Sequence, residues 1–252
     1  MTETVQYSCS EHVATLLLNH PDRHNSLGRE QLDAIEARLE EVDNDPSVRV
    51  LVVTGAGEKT FCAGAALQEL GSGEMSDDAF QHMTTRLAAL RVPTLCALNG
   101  NVFGGGVELA VSCDFRIGVQ GMRMRVPAAQ LGICYPAPGI ERFVQCLGVR
   151  VTRRILMAAE SFEGRALLDI GFLDQLVARN DFGKSVTDRA RQLAELAPMA
   201  VQSMKAVLGQ AAAGCIDTDV ARELSAQCMA SQDLQEGLEA QRGKRPPQFV
   251  GR

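Results

Sequence analysis

Short apolar runs alternate with amphipathic stretches over the first half of the chain. The run VATLLLN predicts a strand, and the turn-rich HPDRHNSLG behind it predicts a loop. The next segment, REQLDAIEARLEEVDND, predicts a helix, because its apolar residues recur at helical spacing: Leu32, Ile35, Leu39 and Val42. PSVRVLVVTG then carries an almost continuous β-branched apolar run. Such a run indicates a strand buried on both faces, as in a parallel sheet.

The same alternation continues to about residue 120. AGEKTFCAGAAL predicts a loop that leads into another helical stretch. PTLCALNG and CDFRIGVQ predict two further strands, and the glycine turn with VELAVSC between them predicts a loop followed by a helix. Alternating strands and helices favour an α/β core with covered sheets.

From Gly139 onward the pattern is almost entirely helical. GIERFVQCLG, RRILMAA and EGRALLDIG predict helices, and FLDQLV predicts one short strand after them. Three long amphipathic helices are then predicted in KSVTDRARQLAELA, MAVQSMKAVLGQ and TDVARELSAQCMASQ. Their apolar faces should pack onto the core or onto another subunit. The tail, GKRPPQFVGR, is polar and proline-rich.

Composition and charge exclude several classes of protein. The 252 residues are 46% hydrophobic, which is enough for one large domain with a substantial core. The net charge of -6 gives no electrostatic footprint for nucleic acid or an anionic membrane. No apolar run is long enough to cross a bilayer, and the N-terminus lacks a signal-peptide pattern. We therefore expect a soluble, cytoplasmic protein.

Cysteine and histidine give no sign of disulfides or a metal. No C-x-x-C pair occurs, so we expect the cysteines to be reduced, buried, small hydrophobic residues. The four histidines form no H-x-x-x-H pair and do not cluster with cysteines, so we expect no zinc site. The eight cysteines are Cys9, Cys62, Cys96, Cys113, Cys134, Cys146, Cys215 and Cys228.

Three common motifs fail on inspection. The strand and turn VRVLVVTGAGEKT imitate a dinucleotide site, but position 60, where the pattern needs Gly or Ala, is threonine. The GKS at Gly183 is not a phosphate-binding loop, because Ala178 stands where that loop needs its first glycine. No G-x-S-x-G elbow occurs, which excludes an α/β-hydrolase.

Two glycine- and alanine-rich loops each follow a predicted strand. FCAGAAL follows VLVVT, and NVFGGGVELA follows TLCAL. Two poorly shielded backbone N–H groups that converge on one oxygen form an oxyanion hole. Glu108 lies one turn into the helix that the second loop opens, where the helix dipole favours negative charge. Two simpler explanations stay open: the glutamate serves only the dipole, and the glycines only allow close helix–sheet packing.

Six collinear stretches resemble the enoyl-CoA hydratase/isomerase (crotonase) family over nearly the whole chain. The resemblance implies an α/β fold, a crotonase-type ββα spiral core over residues 1–195, and a C-terminal helical oligomerisation region over 196–252. Family members form trimers that often pair into hexamers, so a homotrimer or hexamer is expected. The stretches are LNHPDRHNSL, VLVVTGAGEKTFCAGAAL, PTLCALNGNVFGGGVELAVSCDFRIG, LGICYPAPGIERFVQCLG, GRALLDIGFLDQLV and SQDLQEGLEAQRGKRPPQF.

The resemblance also implies an acyl-CoA thioester as substrate, with no cofactor beyond its coenzyme A moiety and no metal. The oxyanion-hole donors fall on the N–H groups of Ala65 and Gly105, and Glu108 matches one of the two catalytic glutamates of the hydratases. Ala65 and Gly105 also belong to the positions that contact the coenzyme A ester. The other positions of that set are Arg23 and His24 in the first loop, and Ala63, Ala66 and Leu67 along the adenine and pantetheine path.

Two departures from the family pattern weaken the expectation of hydration. The second catalytic glutamate of the hydratases falls on Ala128, and an alanine methyl cannot activate water or deliver a proton. Pro136 stands where a backbone N–H helps to hold the catalytic water, and proline has no N–H to donate. Three residues remain as candidate replacements for the missing group: Glu141, Tyr135 and His82.

The sequence therefore predicts an enzyme that stabilises a thioester enolate with Glu108 as its single acid/base. One base suits a 1,3-proton shift better than two-group hydration, although hydratase-like chemistry stays open. A decarboxylase of the same family and a catalytically impaired acyl-CoA-binding protein are the alternatives, and the net charge disfavours an RNA-binding protein. The acyl-pocket walls are expected from an irregular region at 68–90 and from the C-terminal helices.

Overall fold

The structure, a computed structural model, describes residues 3–66 and 77–252. Within these residues, the larger sheet has six strands, of which only the first pair is antiparallel. Their order across the sheet is β1 (Val5–Ser10), β2 (Val13–Leu18), β3 (Val50–Gly55), β5 (Thr94–Leu98), β7 (Phe115–Val119) and β10 (Gln175–Val177).

A smaller sheet of short strands lies against the first. Its first three strands are parallel and its last pair is antiparallel, in the order β4 (Thr60–Cys62), β6 (Asn101–Phe103), β8 (Arg123–Arg125) and β9 (Phe162–Glu163). Residues of both sheets belong to one buried apolar cluster, in which Leu51 and Leu98 come from the larger sheet and Phe61 and Met124 from the smaller. The core therefore extends from one sheet to the other.

Helices cover the sheets and fill most of the second half of the chain. Two short 3-10 turns lie at Pro21–Arg23 and Ala128–Leu131, and a π-helical turn lies at Arg153–Met157. The α-helices are α1 (Arg29–Asn44), α2 (Asp77–Ala89), α3 (Gly105–Val111), α4 (Ala137–Thr152), α5 (Ala166–Asp169), α6 (Arg179–Ala194), α7 (Pro198–Ala212), α8 (Thr218–Met229) and α9 (Gln232–Gly243).

The predicted strands and helices that have a strong hydrophobic period are confirmed. In α1 the apolar residues at helical spacing are all buried: Leu32, Ile35, Leu39 and Val42. β3 pairs in parallel with β2 on one side and β5 on the other, and it is buried along almost its whole length. The predicted strands at β2, β5, β7 and β10 are present as well.

The short strands of the smaller sheet were not predicted. The smaller sheet consists of strands of two or three residues, too short to show an alternating pattern. The helical stretch predicted after AGEKTFCAGAAL is present as α2, whereas the prediction of an irregular region at 68–90 is wrong for these residues. Residues 67–76 lie outside the part of the chain that the structure describes.

The expectation that the cysteines are buried is only partly correct. All eight are free, but only Cys62, Cys96 and Cys113 are buried, while Cys9, Cys134 and Cys215 are exposed. Cysteine is one of the residue types most often buried, but residue type alone does not decide whether a particular cysteine lies in the core or at the surface.

The C-terminal helices expose much apolar surface. Neither α7 nor α8 has a buried residue, and their exposed apolar side chains include Met204, Leu208, Val220 and Met229. The predicted boundary between 195 and 196 falls in the turn between α6 and α7. The division into a core and an oligomerisation region remains a prediction.

Specific hydrogen bonds cap α9 and hold the C-terminal tail against the first turn of this helix. The side chain of Ser231 caps α9 by accepting a bond from the N–H of Leu234. The buried carboxylate of Asp233 accepts from the N–H groups of Val250 and Gly251 at 2.7 and 2.9 Å. Within the described residues no helix has the length and apolar character needed to span a bilayer, and the predicted cytoplasmic location remains a prediction.

Candidate active site

Two glycine-containing loops meet at the start of α3. Gly64, after β4, has a φ of +86°, and a Cβ there would lie 2.6 Å from the nitrogen of Gly105. A Cβ on Gly106 would lie 2.7 Å from the carbonyl oxygen of Cys62. Only glycine allows the two backbones to approach so closely. Close packing therefore explains part of the glycine pattern, as one of the two simpler explanations expected.

This close approach leaves two backbone N–H groups side by side. Ala65 forms a parallel bridge with Leu27, in which Leu27 donates to Gly64 and accepts from Ala66, at 2.8 and 2.9 Å. Because N–H groups alternate along an extended chain, the N–H of Ala65 points away from Leu27. Gly105 is the first residue of α3, so its N–H has no partner within the helix.

Neither N–H group donates a hydrogen bond to any acceptor in the described part of the chain. The two groups are neighbours, since a Cβ on Gly105 would lie only 3.5 Å from the nitrogen of Ala65. Two unpaired donors at the positive end of a helix can stabilise a negatively charged oxygen.

A cavity of about 140 Å³ opens beside these donors. Its polar side chains are Glu108, Gln81 and Tyr135, and the rest of the wall is mostly apolar. From the 68–90 region, Phe80 and Gln81 of α2 line this cavity, and no residue of the C-terminal helices does; the prediction that these two regions form the acyl-pocket walls stays a prediction. Its other lining residues are Ala63, Ala65, Phe103, Gly104, Gly105, Val126, Pro127, Ala128, Leu131, Ile133 and Pro136.

Glu108 is fully buried and has several hydrogen-bond donors around it. Its Oε1 accepts from the guanidinium of Arg142 at 3.0 Å and from the hydroxyl of Thr84 at 3.2 Å. Its Oε2 accepts from the amide nitrogen of Gln81 at 3.3 Å, and the side chain of Tyr135 also hydrogen-bonds to the carboxylate. A glutamate that serves only a helix dipole needs no such network, so this simpler explanation of Glu108 does not account for the structure.

Burial shifts the pKa values of Glu108 and Arg142 in opposite directions. Burial raises the pKa of Glu108, although the hydrogen bonds from Tyr135, Thr84 and Gln81 and the charge of Arg142 oppose that rise. Burial likewise lowers the pKa of Arg142, against the attraction of Glu108. A carboxyl group with a raised pKa can exchange a proton closer to neutral pH, which suits acid/base chemistry.

The two departures from the family pattern lie in the same cavity as Glu108. Ala128 begins the second 3-10 turn and is almost completely buried, and Pro136 precedes the first residue of α4. Both residues line the wall. Ala128 therefore supplies no carboxylate to the cavity, and Pro136 supplies no backbone N–H.

Of the three candidate replacements, the structure brings only Tyr135 to Glu108. Glu141 is exposed, accepts a hydrogen bond from Gln145 at 3.1 Å, and does not line the cavity. His82 points outward from α2 and pairs with Glu36 at 2.7 Å. These two residues lie on the solvent faces of their helices, a placement that sequence spacing alone did not reveal.

A second cavity, of about 490 Å³, adjoins the first. Ala63 and Phe103 line both, and His24 lines the second together with two cations, Lys59 and Arg179. His24 is held by its backbone, whose carbonyl accepts from the N–H of Ala63 at 3.0 Å.

Of the three other residues predicted to contact coenzyme A, the two that the structure describes line neither of these cavities. Arg23 is exposed on the first 3-10 turn and lines neither cavity. Ala66 donates its N–H to the carbonyl of Leu27 and is also absent from both walls. Leu67 lies outside the described residues.

Sequence reasoning missed the residues that surround the carboxylate. Gln81 and Thr84 are three residues apart on α2, and Arg142 lies on α4, so the three come together only through the packing of these helices on α3. The sequence predicted a helical stretch in this region, but it gave no indication that Gln81 and Thr84 of this helix face Glu108. In the described ranges, 3–66 and 77–252, no group of three or more His, Cys, Asp or Glu side chains is arranged to hold a metal ion.

Two mixed sheets that meet at a glycine-lined cavity, followed by a series of C-terminal helices, define the crotonase fold. The chain belongs to the enoyl-CoA hydratase/isomerase family, whose sequence profile matches residues 8–252. The family and the α/β crotonase-type core predicted from the sequence are thus confirmed.

Similar proteins cover nearly the whole chain. A mouse protein named enoyl-CoA hydratase domain-containing protein 2, mitochondrial, is 32% identical over 257 residues, which cover 95% of this chain and 85% of the mouse protein. The crotonyl-CoA hydratase of Syntrophomonas wolfei is 29% identical over 261 residues and 99% of each chain. The crystal structure of an enoyl-CoA hydratase from Bacillus anthracis superposes with a TM-score of 0.89 at 25% identity, covering 99% of this chain and 100% of the other.

Proposed function

We propose that this protein converts enoyl-CoA thioesters through an enolate, with Glu108 as its single acid/base. The observation that carries this proposal is the pair of N–H groups of Ala65 and Gly105, which have no acceptor among the described residues, beside the buried carboxylate of Glu108. Within residues 3–66 and 77–252 no second carboxylate lines the cavity. The name of the Syntrophomonas relative supports an enoyl-CoA substrate.

The two N–H groups would bind the thioester oxygen. Negative charge develops on this oxygen when a proton leaves the carbon chain next to the carbonyl, and a preorganised donor typically contributes about 2.7–4 kcal/mol to the stability of the transition state. Because Ala65 and Gly105 donate to no acceptor within the described residues, these N–H groups would need no rearrangement there before they act.

Glu108 would then move a proton between two carbons of the acyl chain. As a carboxylate it takes an α-proton from a β,γ-enoyl thioester, which gives a dienolate whose charge rests on the thioester oxygen. The same carboxyl group returns the proton to the γ-carbon, so the double bond moves to the α,β position and Glu108 is regenerated. Water addition needs a second acid/base group, and Ala128 in the cavity wall stands where the resemblance implies that group.

The second cavity would hold part of the coenzyme A moiety. Lys59 and Arg179 in its wall offer positive charge for phosphate groups, and Ala63 and Phe103 connect it to the cavity of Glu108. His24 lies in the same wall, in keeping with its proposed contact to coenzyme A.

Incubation with crotonyl-CoA, a β,γ-enoyl-CoA and a malonyl-type CoA ester in D2O, followed by mass spectrometry, tests the proposal. We expect rapid conversion of the β,γ-enoyl ester with deuterium at the γ-carbon of the conjugated product, and slow water addition to crotonyl-CoA. Rapid hydration of crotonyl-CoA that survives Glu108→Gln would overturn both the reaction and its residue. Loss of carbon dioxide from the malonyl-type ester would instead identify a decarboxylase, and binding without exchange would identify a catalytically impaired protein.

Removal of the buried cation should change the pH dependence of this reaction. Arg142 opposes the rise in the pKa of Glu108, so Arg142→Met should raise that pKa further. A general base works only when ionised, and the acidic limb of the kcat/KM profile should therefore move to higher pH.

The matched control for this prediction is Arg142→Lys, which keeps a positive charge and should move the limb less. The profiles are measured with a β,γ-enoyl-CoA between pH 5 and 9. An acidic limb that stays at the wild-type position in Arg142→Met would show that the ionisation of Glu108 does not control the rate.

We also propose that the C-terminal helices join copies of this chain into a homotrimer or a hexamer. The support is the apolar surface of α7, where Met204 and Leu208 lie one turn apart and are 58% and 68% exposed. Apolar side chains exposed at this spacing are typical of an interface between subunits.

Substitution of Met204→Glu together with Leu208→Glu should reduce the particle mass to that of one chain. Light scattering coupled to gel filtration measures that mass, and the wild type should give three or six times as much. Val149→Glu places the same charge on an exposed apolar position of α4 and is the control. A wild-type protein that elutes as a single chain would contradict the proposed assembly.

A further inference from the structure

The amide oxygen of Gln81 stands out among the polar atoms of the active site. Of the side chains in the described part of the chain, Gln81 contributes the one buried polar atom that has no hydrogen-bond partner, its Oε1. Gln81 is 9% exposed and lines the cavity of Glu108. Because a buried acceptor without a partner destabilises the folded protein, such an atom in a cavity indicates a missing donor.

The orientation of the amide is determined by its neighbour. Nε2 of Gln81 lies 3.3 Å from Oε2 of Glu108, and an ionised carboxylate only accepts hydrogen bonds. The NH2 group must therefore face Glu108, and the oxygen occupies the other end of the amide. A rotation that exchanged the two ends would place two acceptors against each other.

The remaining donors near this cavity already have other partners or other roles. Tyr135 hydrogen-bonds to Glu108, Thr84 and Arg142 contact its Oε1, and the N–H groups of Ala65 and Gly105 lie at the proposed thioester site. Among the described residues, the other side chains of the wall are apolar. The described part of the chain therefore supplies no donor for Gln81, and a molecule bound in the cavity can supply one.

We propose that Gln81 is a specificity-determining residue, whose Oε1 accepts a hydrogen bond from a hydroxyl group on the acyl chain of the bound thioester. The inference rests on the proposed acyl-CoA chemistry of Glu108 and specifies which acyl chains the site prefers. A site built to bond a substrate hydroxyl discriminates against the analogue that lacks it, because its own buried polar group then stays unpaired. The position of Gln81 beside Glu108 places that hydroxyl close to the reacting carbons.

Three matched CoA esters test the preference for a hydroxyl group. The two enantiomers of 3-hydroxybutyryl-CoA and their deoxy analogue butyryl-CoA are titrated calorimetrically into the wild-type protein. We expect one enantiomer to bind about tenfold more tightly than butyryl-CoA, the ratio typical of one hydrogen bond. Gln81→Met keeps the length of the side chain but has no acceptor of comparable strength. In this variant the preferred enantiomer and butyryl-CoA should bind with equal affinity.

The control variant is Thr84→Val. Like Gln81→Met it removes one hydrogen bond to Glu108, but it leaves Oε1 of Gln81 in place, so the preference for the hydroxylated ester should persist. Circular dichroism establishes that each variant is folded, and Gln81→Leu serves as a second variant without the acceptor.

The outcomes separate this inference from the proposed function. Equal binding of the three esters by the wild type would overturn the role of Gln81 alone and would indicate that a water molecule supplies the donor. A preference that survives in Gln81→Met and Gln81→Leu would overturn it as well. Failure of all three esters to bind would overturn the acyl-CoA function, and the inference with it.

Discussion

Glu108→Gln is expected to lower kcat for a β,γ-enoyl-CoA by about 10²–10⁴-fold, the usual contribution of a general acid or base. The glutamine keeps the shape of the side chain and the hydrogen bonds at one end, but it cannot carry a proton between carbons. KM should change little, because the two backbone donors that are proposed to hold the thioester oxygen do not depend on Glu108. Initial rates measured by the ultraviolet absorbance of the conjugated product give both constants.

The same substitution leaves the buried guanidinium of Arg142 without its counter-ion. Arg142 is only 13% exposed, and an unpaired buried charge typically destabilises a protein by about 3–5 kcal/mol. We therefore expect a lower melting temperature in Glu108→Gln. The double variant Glu108→Gln with Arg142→Met should recover stability without recovering activity, which separates the loss of chemistry from the loss of folding.

Glu141→Gln is the matched control, since it makes the same chemical change on an exposed carboxylate outside the cavity. It should retain wild-type kcat. A folded Glu108→Gln variant with wild-type turnover would show that another group moves the proton, and Tyr135 would be the first residue to examine.

Ala128→Glu combined with Pro136→Gly is expected to raise the rate of water addition to crotonyl-CoA by about 10²–10⁴-fold. The new carboxylate would lie in the wall of the cavity that Glu108 lines, and the glycine would restore a backbone N–H that proline lacks. Two carboxylates can then divide the work: one activates water while the other delivers the proton to the α-carbon.

Ala128→Gln with Pro136→Gly provides the control for this gain, because the amide has a similar size and no acid/base function. The loss of absorbance of crotonyl-CoA at fixed enzyme concentration measures hydration. If the wild type already hydrates crotonyl-CoA at a rate that the added glutamate does not improve, the second carboxylate is not what limits this reaction.

Local sequence was sufficient for the elements that have a strong period or a long apolar run. The spacing of Leu32 and Ile35 predicted α1, and the apolar run of β3 predicted a strand with parallel neighbours on both sides. The smaller sheet could not be predicted in the same way, because strands of two or three residues depend on their pairing partners and not on their own sequence.

The sequence predicted two parts of the candidate site: the glycine-containing loops and the carboxylate of Glu108. Consecutive glycines identify a place of close backbone approach, and Glu108 follows them at a fixed distance along one helix. The partners of Glu108 come from α2 and α4, thirty or so residues away on either side, and chain spacing carries no information about such contacts. The candidate replacements Glu141, Tyr135 and His82 were equivalent on sequence grounds for this reason.

The sequence by itself determined the family, the order of the main strands and helices, and the absence of a carboxylate at Ala128. Each of these follows from the identity of residues at fixed separations along the chain. Only the tertiary structure decided that Arg142 pairs with Glu108, that Tyr135 reaches it while Glu141 does not, and that Gln81 keeps an unsatisfied oxygen in the cavity. These features depend on which helix faces meet and how deeply they are buried, and burial is a property of the packed molecule that no local segment contains.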